Sequence, residues 1–253
     1  MRIVDAHNYI SRVFEKDLSG RAPRNIINDM LTHRGEPVIW VWDSPGAKAT
    51  RQRILPCYKS KRLPPPENIW PIISLIKESL QHTPVLQIEV PRFEADDVIA
   101  TLVRKFPHEK KFIVSNDADL RQLLVVPNTE IEAKEPAFAV QPQHIRLFKT
   151  CVGDPSDNIG GVPGFGRKTW TDVNKVLLAK MLDDFFAGND PQWEQLGIPK
   201  RCINWIKDNR TALREVWTVV GLWDVPHDLI NRHTIVGKRD PLKVQQLLEP
   251  YYL

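Results

Sequence analysis

Pro37-Val38-Ile39-Trp40-Val41-Trp42-Asp43 is a short apolar run, rich in β-branched and aromatic residues, that ends on an aspartate. A run of this kind reads as a strand buried on both faces. Arg2-Ile3-Val4-Asp5 and Lys111-Phe112-Ile113-Val114-Ser115-Asn116-Asp117 have the same form, and Val85-Leu86-Gln87-Ile88-Glu89-Val90 reads as a fourth strand. Helical patterns separate them. Ile69, Ile72, Ile73, Ile76 and Leu80 recur near the helical period over residues 69–81, and Val98, Ile99, Leu102, Val103 and Phe106 do so after Glu94. Strands alternating with helices predict an α/β domain built on a mostly parallel sheet flanked by helices, assigned to residues 1–140. From about residue 141 to 253 the strand pattern stops and the chain reads as helical. Trp193, Trp205, Trp217 and Trp223, scattered through that region, read as core residues rather than base-stacking platforms.

The chain has 253 residues, enough for one large domain or two small ones without covalent staples. Its three cysteines, Cys57, Cys151 and Cys202, are odd in number and widely spaced, which argues against a disulfide framework and a cysteine zinc site and fits a reducing compartment. No stretch approaches the roughly 18 apolar residues of a membrane span, so the chain reads as soluble, unprocessed and without a membrane partner. The formal net charge of +4 decides little, but its distribution says more. Lys48, Arg51, Arg53, Lys59, Lys61 and Arg62 lie together with no acid between Asp43 and Glu67. Such a stretch suits a polyanion, or is a solvated surface loop. Pro64-Pro65-Pro66 follows it as a stiff connector.

In an open parallel sheet, ligands bind outside the carboxyl ends of the strands, and three predicted strands each deliver an aspartate there: Asp5, Asp43 and Asp117. Asp119 follows two residues later, and Glu94-Ala95-Asp96-Asp97 stands at a predicted helix start, where capping alone could account for it. Several ionised carboxylates in one place repel one another unless a cation of high charge joins them. Oxygen-only ligation suits Mg²⁺ or Mn²⁺ rather than zinc. Two such ions about 4 Å apart clamp the oxygens of an in-line phosphoryl displacement, so the implied reaction is phosphodiester hydrolysis.

A second constellation runs Gly153-Asp154-Pro155-Ser156-Asp157-Asn158-Ile159-Gly160-Gly161-Val162-Pro163-Gly164-Phe165-Gly166-Arg167-Lys168-Thr169. It couples two aspartates to a glycine-rich turn that leads into a predicted helix. Glycines allow close backbone approach, and the helix start with Arg167 and Lys168 suits a phosphate of duplex DNA.

Together these residues resemble the flap-endonuclease/5′-3′ exonuclease family, which includes the 5′-nuclease domain of bacterial DNA polymerase I and the phage 5′-nucleases. The resemblance runs from Asp5 to about Thr169. Its most specific pieces are Glu94-Ala95-Asp96-Asp97-Val98-Ile99, the Asp117-x-Asp119 pair, and the glycine stretch from Gly153 to Gly166. It implies a PIN-like fold and a metal set of Asp5, Asp43, Glu94, Asp96, Asp97, Asp117, Asp119, Asp154 and Asp157. The basic stretch corresponds to the family's arch, at about residues 44–68. There the resemblance puts Lys59 and Arg62 on the scissile phosphate, as catalytic residues beside Asp117 and Asp119. It puts Arg51 and Lys61 on DNA, and Tyr58 on a base near the cut. The glycine stretch corresponds to a helix-three-turn-helix, at about residues 141–180, that grips the duplex through Gly161, Gly164, Gly166, Arg167 and Lys168. In some members that element holds K⁺ through main-chain carbonyls, here those of Val162 and Phe165.

Ala6 stands where the family usually has glycine, Ser115-Asn116 replaces the usual Thr-Gly, and the last 80 or so residues match no motif. The expected protein is a stand-alone, monomeric, cytoplasmic 5′-3′ exonuclease or flap endonuclease of a bacterium or phage-infected cell. It would act in replication, primer removal or DNA degradation. Its expected substrate is DNA with a 5′ end, flap or junction, extending to RNA/DNA hybrid, and its cofactors are two or more Mg²⁺ or Mn²⁺ ions. The alternatives are a PIN-type ribonuclease and a junction-binding protein that does not cut.

Overall fold

The computed structural model describes residues 1–17, 20–32, 35–132 and 139–251. The strands are β1 (Arg2–Asp5), β2 (Val38–Val41), β3 (Leu86–Ile88), β4 (Lys111–Val114), β5 (Thr129–Glu132) and β6 (Thr234–Val236). The α-helices are α1 (Ala6–Lys16), α2 (Ala22–Thr32), α3 (Ala47–Gln52), α4 (Ile69–Gln81), α5 (Ala95–Lys105), α6 (Ile145–Cys151), α7 (Arg167–Asp172), α8 (Lys175–Phe186), α9 (Lys200–Asp208), α10 (Arg210–Val219), α11 (His227–Arg232) and α12 (Pro241–Leu248). The chain divides into two compact units. The first comprises Met1–Ala47, Leu63–Ala137 and Trp223–Leu253, and the second Lys48–Arg62 and Phe138–Leu222.

The first unit is built on one sheet of order β5-β4-β1-β2-β3-β6. Every neighbouring pair is parallel except β3 with β6. β2 is buried along its whole length, which is why Val38-Ile39-Trp40-Val41 is apolar on both faces. Strand order runs from β1 to β2 and β3 in one direction and from β4 to β5 in the other. The topological switch point therefore falls between β1 and β4, and the crevice for a ligand opens at their carboxyl ends. Trp40 of β2 and Trp42, just past its end, lie in one core cluster; Tyr9 meets Trp40 edge-on at 5.7 Å. Ile69, Ile73, Ile76 and Leu80 of α4 complete that core layer.

Four strands and two helices thus stand where hydrophobic periodicity predicts them. β5 and β6 do not. Thr129-Glu130-Ile131-Glu132 is an edge strand that alternates between half-buried and exposed residues, and Thr234-Ile235-Val236 is a three-residue edge strand added antiparallel. Neither carries the continuous apolar run that marks the central strands.

The second unit has its own core, in which Trp170, Phe185 and Trp193 pack with Val162, Phe165, Leu178 and Ile203. Trp205 and Trp217 pack against that cluster, in agreement with the core reading of these tryptophans. The predicted division at residues 140 and 141 is corrected in two places. The basic segment Lys48–Arg62 belongs to the second unit, and Trp223–Leu253 returns to the first, where β6 extends the sheet. The physical reason for the return is hydrogen bonding that no local pattern encodes. The Trp223 N–H donates to Asp97 Oδ1 at 2.8 Å, and the Val225 N–H donates to Thr101 Oγ1 at 2.9 Å.

Candidate active site

Asp5 ends β1 and is only 5 % exposed. Ser115, fully buried just past β4, donates its hydroxyl to Asp5 Oδ2 at 2.8 Å and accepts the Asp117 N–H at 3.0 Å. Asp117 Oδ1 in turn accepts the Asp119 N–H at 2.8 Å. A chain of short hydrogen bonds thereby sets Asp5, Asp117 and Asp119 around the switch point. The Ser115 hydroxyl performs both tasks, so the departure from threonine at this position removes nothing from the network.

Asp43 follows β2 and reaches sideways to α5. Its Oδ1 accepts the Ala95 N–H at 2.8 Å, supplying a cap that Glu94 at the N-cap position does not supply with its own side chain. Glu94 is itself buried, and Asp96 and Asp97 occupy the first turn, so carboxylates gather at the positive end of an 11-residue helix. His7 completes this edge. Its Nδ1 accepts the Asp43 N–H at 3.2 Å and lies 3.7 Å from Asp43 Oδ2. A ring nitrogen that accepts an amide proton carries its lone pair there, so His7 is neutral with its proton on Nε2. Burial lowers its pKa further, against the pull of Asp43.

The electrostatics follow from this crowding. Burial, and then the charge of Asp43, push the Asp5 carboxyl up to about 7; Asp117 adds to the rise, and the Ser115 and Asn8 hydrogen bonds only partly oppose it. An oxygen-only donor set in which one member resists ionisation beside two acids fits a hard divalent cation.

Asp97 also makes a structural contact. Only 1 % exposed, it accepts the Trp223 amide and so fastens the returning C-terminal segment to α5.

In the second unit, Asp154 Oδ1 accepts the Ser156 N–H at 2.9 Å and the Ser156 hydroxyl at 2.6 Å, while Oδ2 pairs with Lys149 Nζ at 2.5 Å. Burial alone would raise its pKa, but Lys149 and Ser156 outweigh it and hold the carboxyl below its ordinary value. Asp157 is raised by burial, partly offset by Lys59 and Lys149. The basic segment is tied to this acid: the Lys59 N–H donates to the Asp157 carbonyl at 2.8 Å, and Arg62 reaches Asp157 Oδ1 at 3.1 Å. Lys61 is exposed.

Two expectations for the basic segment are corrected. Arg51, expected on DNA, is 3 % exposed and donates through one guanidinium nitrogen to the carbonyls of Val219 and Gly221 at the end of α10. Tyr58, expected to stack on a base, is 4 % exposed and packed with Ile159, Val219 and Val220. Each lies in a charged run, and the sequence pattern carried no sign that the run folds back on a helix end.

The glycine loop is locked by backbone contact. A Cβ on Gly153 would lie 2.6 Å from the Ile159 carbonyl oxygen, and one on Gly161 would lie 2.5 Å from Gly153 N; both residues have positive φ. Gly164, Gly166, Arg167 and Lys168 are exposed along the loop and the start of α7. The Val162 carbonyl accepts the Phe165 N–H at 2.9 Å.

A mostly parallel sheet with Asp5, Asp43 and Asp117 following the carboxyl ends of its central strands defines an α/β domain of the acidic-edge class. Residues 1–146 match the family described as 5′-3′ exonuclease, N-terminal resolvase-like domain, and the chain belongs to that family. It is 38 % identical over 164 residues to a 5′-3′ exonuclease of Aquifex aeolicus, covering 60 % of this chain and 56 % of that protein. It is 36 % identical over 150 residues to a thermostable DNA polymerase I of Thermus thermophilus, covering 55 % of this chain and 18 % of that protein. The chain thus spans about half the length of the curated exonuclease it matches. Among solved structures, the T5 5′-exonuclease with bound divalent zinc ions superimposes with a TM-score of 0.65 at 19 % identity, covering 99 % of each chain. That likeness establishes the PIN-like, resolvase-type fold. Among the described residues, no helix is long and apolar enough to cross a membrane.

Proposed function

We propose that this protein is a divalent-metal-dependent, structure-selective 5′-nuclease that hydrolyses DNA phosphodiester bonds as a 5′-3′ exonuclease or flap endonuclease. The observation that carries the reading is the convergence of Asp5, Asp43 and Asp117 at the switch point, with the Asp5 carboxyl driven up by burial and by its two neighbours. Asp5, Asp43, Glu94, Asp96, Asp117 and Asp119 are the residues to hold Mg²⁺ or Mn²⁺, and the family pattern adds Asp154 and Asp157. When bound, such cations supply positive charge against a phosphodiester and acidify water. Asp97, the remaining acid of the family pattern, also anchors the C-terminal segment through Oδ1.

The chain's own groups orient and bind. Ser115 fixes the relative position of Asp5 and Asp117, and the Ala95 amide fixes Asp43. Lys59, Lys61 and Arg62 offer positive charge to a phosphate. Gly161, Gly164 and Gly166, with Arg167 and Lys168, present backbone and cations as a helix-three-turn-helix would to a duplex, with K⁺ at the Val162 and Phe165 carbonyls as its counter-ion. Contacts of this type read phosphates, so selection follows the shape of the DNA end, flap or junction, including RNA/DNA hybrid, and weakens with salt. The products are 5′-phosphorylated mononucleotides or short oligonucleotides and a 3′-hydroxyl. We place the protein in the cytoplasm as a monomer, consistent with its free cysteines.

The test is cleavage of 5′-labelled flap, blunt-duplex and single-stranded DNA, with Mg²⁺ or with EDTA, by the wild type and an Asp117→Ala/Asp119→Ala variant. Metal-dependent cutting that vanishes in the variant and favours duplex-containing substrates is expected. Tight duplex binding with no cutting in Mg²⁺ or Mn²⁺ would leave a junction-binding protein, and preference for RNA would leave a ribonuclease.

A further inference from the structure

Trp70 stands in the first turn of α4 yet off its buried stripe. Ile69, Ile73, Ile76 and Leu80 face the core, whereas Trp70 is 47 % exposed. Among the exposed large hydrophobic side chains of the described residues it is the one aromatic. The core does not require a tryptophan there, because a residue off the apolar stripe of an amphipathic helix is free to be polar.

What holds the ring is the acid edge itself. His7 lies edge-on to Trp70 with ring centroids 6.3 Å apart and an interplanar angle of 66°, and it lies edge-on to Trp42 at 5.6 Å. The same His7 accepts the Asp43 N–H and lies 3.7 Å from the Asp43 carboxylate. Trp70 is therefore one ring removed from the acids, propped by a neutral imidazole that rests on the buried Trp42. Tyr58, the aromatic that the family pattern puts on a base, keeps its ring inside the second unit. A strand whose phosphate lies against the acids brings its own bases to this neighbourhood. Every base has a π-face, and stacking on an aromatic side chain is strong and tolerant of sequence.

We propose that Trp70 stacks on a nucleobase of the DNA strand that carries the scissile phosphate, and so positions that strand at the acid edge. The inference rests on the nuclease reading above, but its test does not depend on turnover. Binding of a fluorescent 5′-flap DNA is measured in the cleavage-disabled Asp117→Ala/Asp119→Ala background, with Trp70, Trp70→Ala or Trp70→Phe. Each is paired with intact DNA and with DNA in which single nucleotides around the junction are replaced by abasic residues.

Loss of one stacked base weakens binding by about 5- to 100-fold. The expected result is a loss of that order for Trp70→Ala, near-complete rescue by Trp70→Phe, and one abasic position that harms the Trp70 protein but not Trp70→Ala. The melting temperatures of the three should agree closely. Equal binding by Trp70 and Trp70→Ala, or a loss in Trp70→Ala that no abasic position shares, would overturn the proposal; the second pattern belongs to a ring that merely supports His7. Coupling in this binding assay, with no metal-dependent cleavage by the wild type, would remove the nuclease reading and keep the stacking one.

Discussion

Ser115 Oγ lies 2.8 Å from Asp5 Oδ2, a side-chain contact that links the carboxyl ends of β1 and β4 across the switch point of the sheet. Because the same oxygen accepts the Asp117 amide, the hydroxyl is oriented from both sides.

Ser115→Ala leaves a buried carboxylate oxygen and a backbone amide without their partner. A loss of about 1–3 kcal/mol in stability is expected. Groups that orient metal ligands commonly matter by about 10- to 100-fold in metal affinity or activity, so the Mg²⁺ concentration giving half-maximal cleavage should rise by a similar factor. Ser115→Thr should restore both. Unchanged metal dependence in Ser115→Ala would mean that Asp5 and Asp117 hold their places without it.

The Asp5 carboxyl gives the metal-free protein a definite pH response. Its folded pKa of about 7 exceeds the ordinary value of 3.8, so between these values the native state keeps a proton that the unfolded chain has released. The native state then binds more protons, and the contribution of Asp5 to stability falls as pH rises through this window and stays low above it. In EDTA, the melting temperature of the wild type relative to Asp5→Asn should therefore be lower at about pH 8 than at about pH 5, and Mg²⁺ should raise it more at the higher pH. A relative melting temperature that stays flat with pH in EDTA would show that Asp5 ionises as it does in the unfolded chain, and one that climbs would show that the fold favours its ionised form.

Arg51 and Lys61 should behave oppositely although both lie in one basic run. Arg51→Ala removes a buried guanidinium bound to two carbonyls, and a loss on the order of 3 kcal/mol, or about 6–12 °C in melting temperature, is expected. Lys61→Ala should leave melting unchanged and weaken DNA binding with a salt slope smaller by about 1. Thermal melts and binding isotherms at several salt concentrations separate the two.

Gly161→Ala places a Cβ against backbone at 2.5 Å and at positive φ, so neither a side-chain shift nor a rotamer change relieves it. Strain and overpacking together should cost roughly 2–4 kcal/mol. Gly160→Ala meets nothing within 4 Å and serves as the control. Equal melting temperatures for the two variants would show that the Gly153–Gly161 backbone contact does not hold the loop.

Features that depend on near neighbours along the chain are legible in the residues alone. The apolar runs around Ile3, Trp40 and Ile113 encode buried parallel strands, and the Ile69–Leu80 spacing encodes a helix face, because periodicity is a local property. The strand-terminal positions of Asp5, Asp43 and Asp117 encode an acidic sheet edge once the strands are parallel. What remained illegible was every pairing set by distant residues. Edge strands β5 and β6 bury too little to need an apolar run. Arg51 and Tyr58 look like DNA contacts until the end of α10 meets them, and nothing near Asp97 in the sequence announces the Trp223 amide that it accepts. Trp70 looks like one more apolar residue of α4 until the helix is seen to turn it outward beside His7. These relationships emerge on folding, because burial and hydrogen-bond partnership belong to the packed chain and not to the residue type.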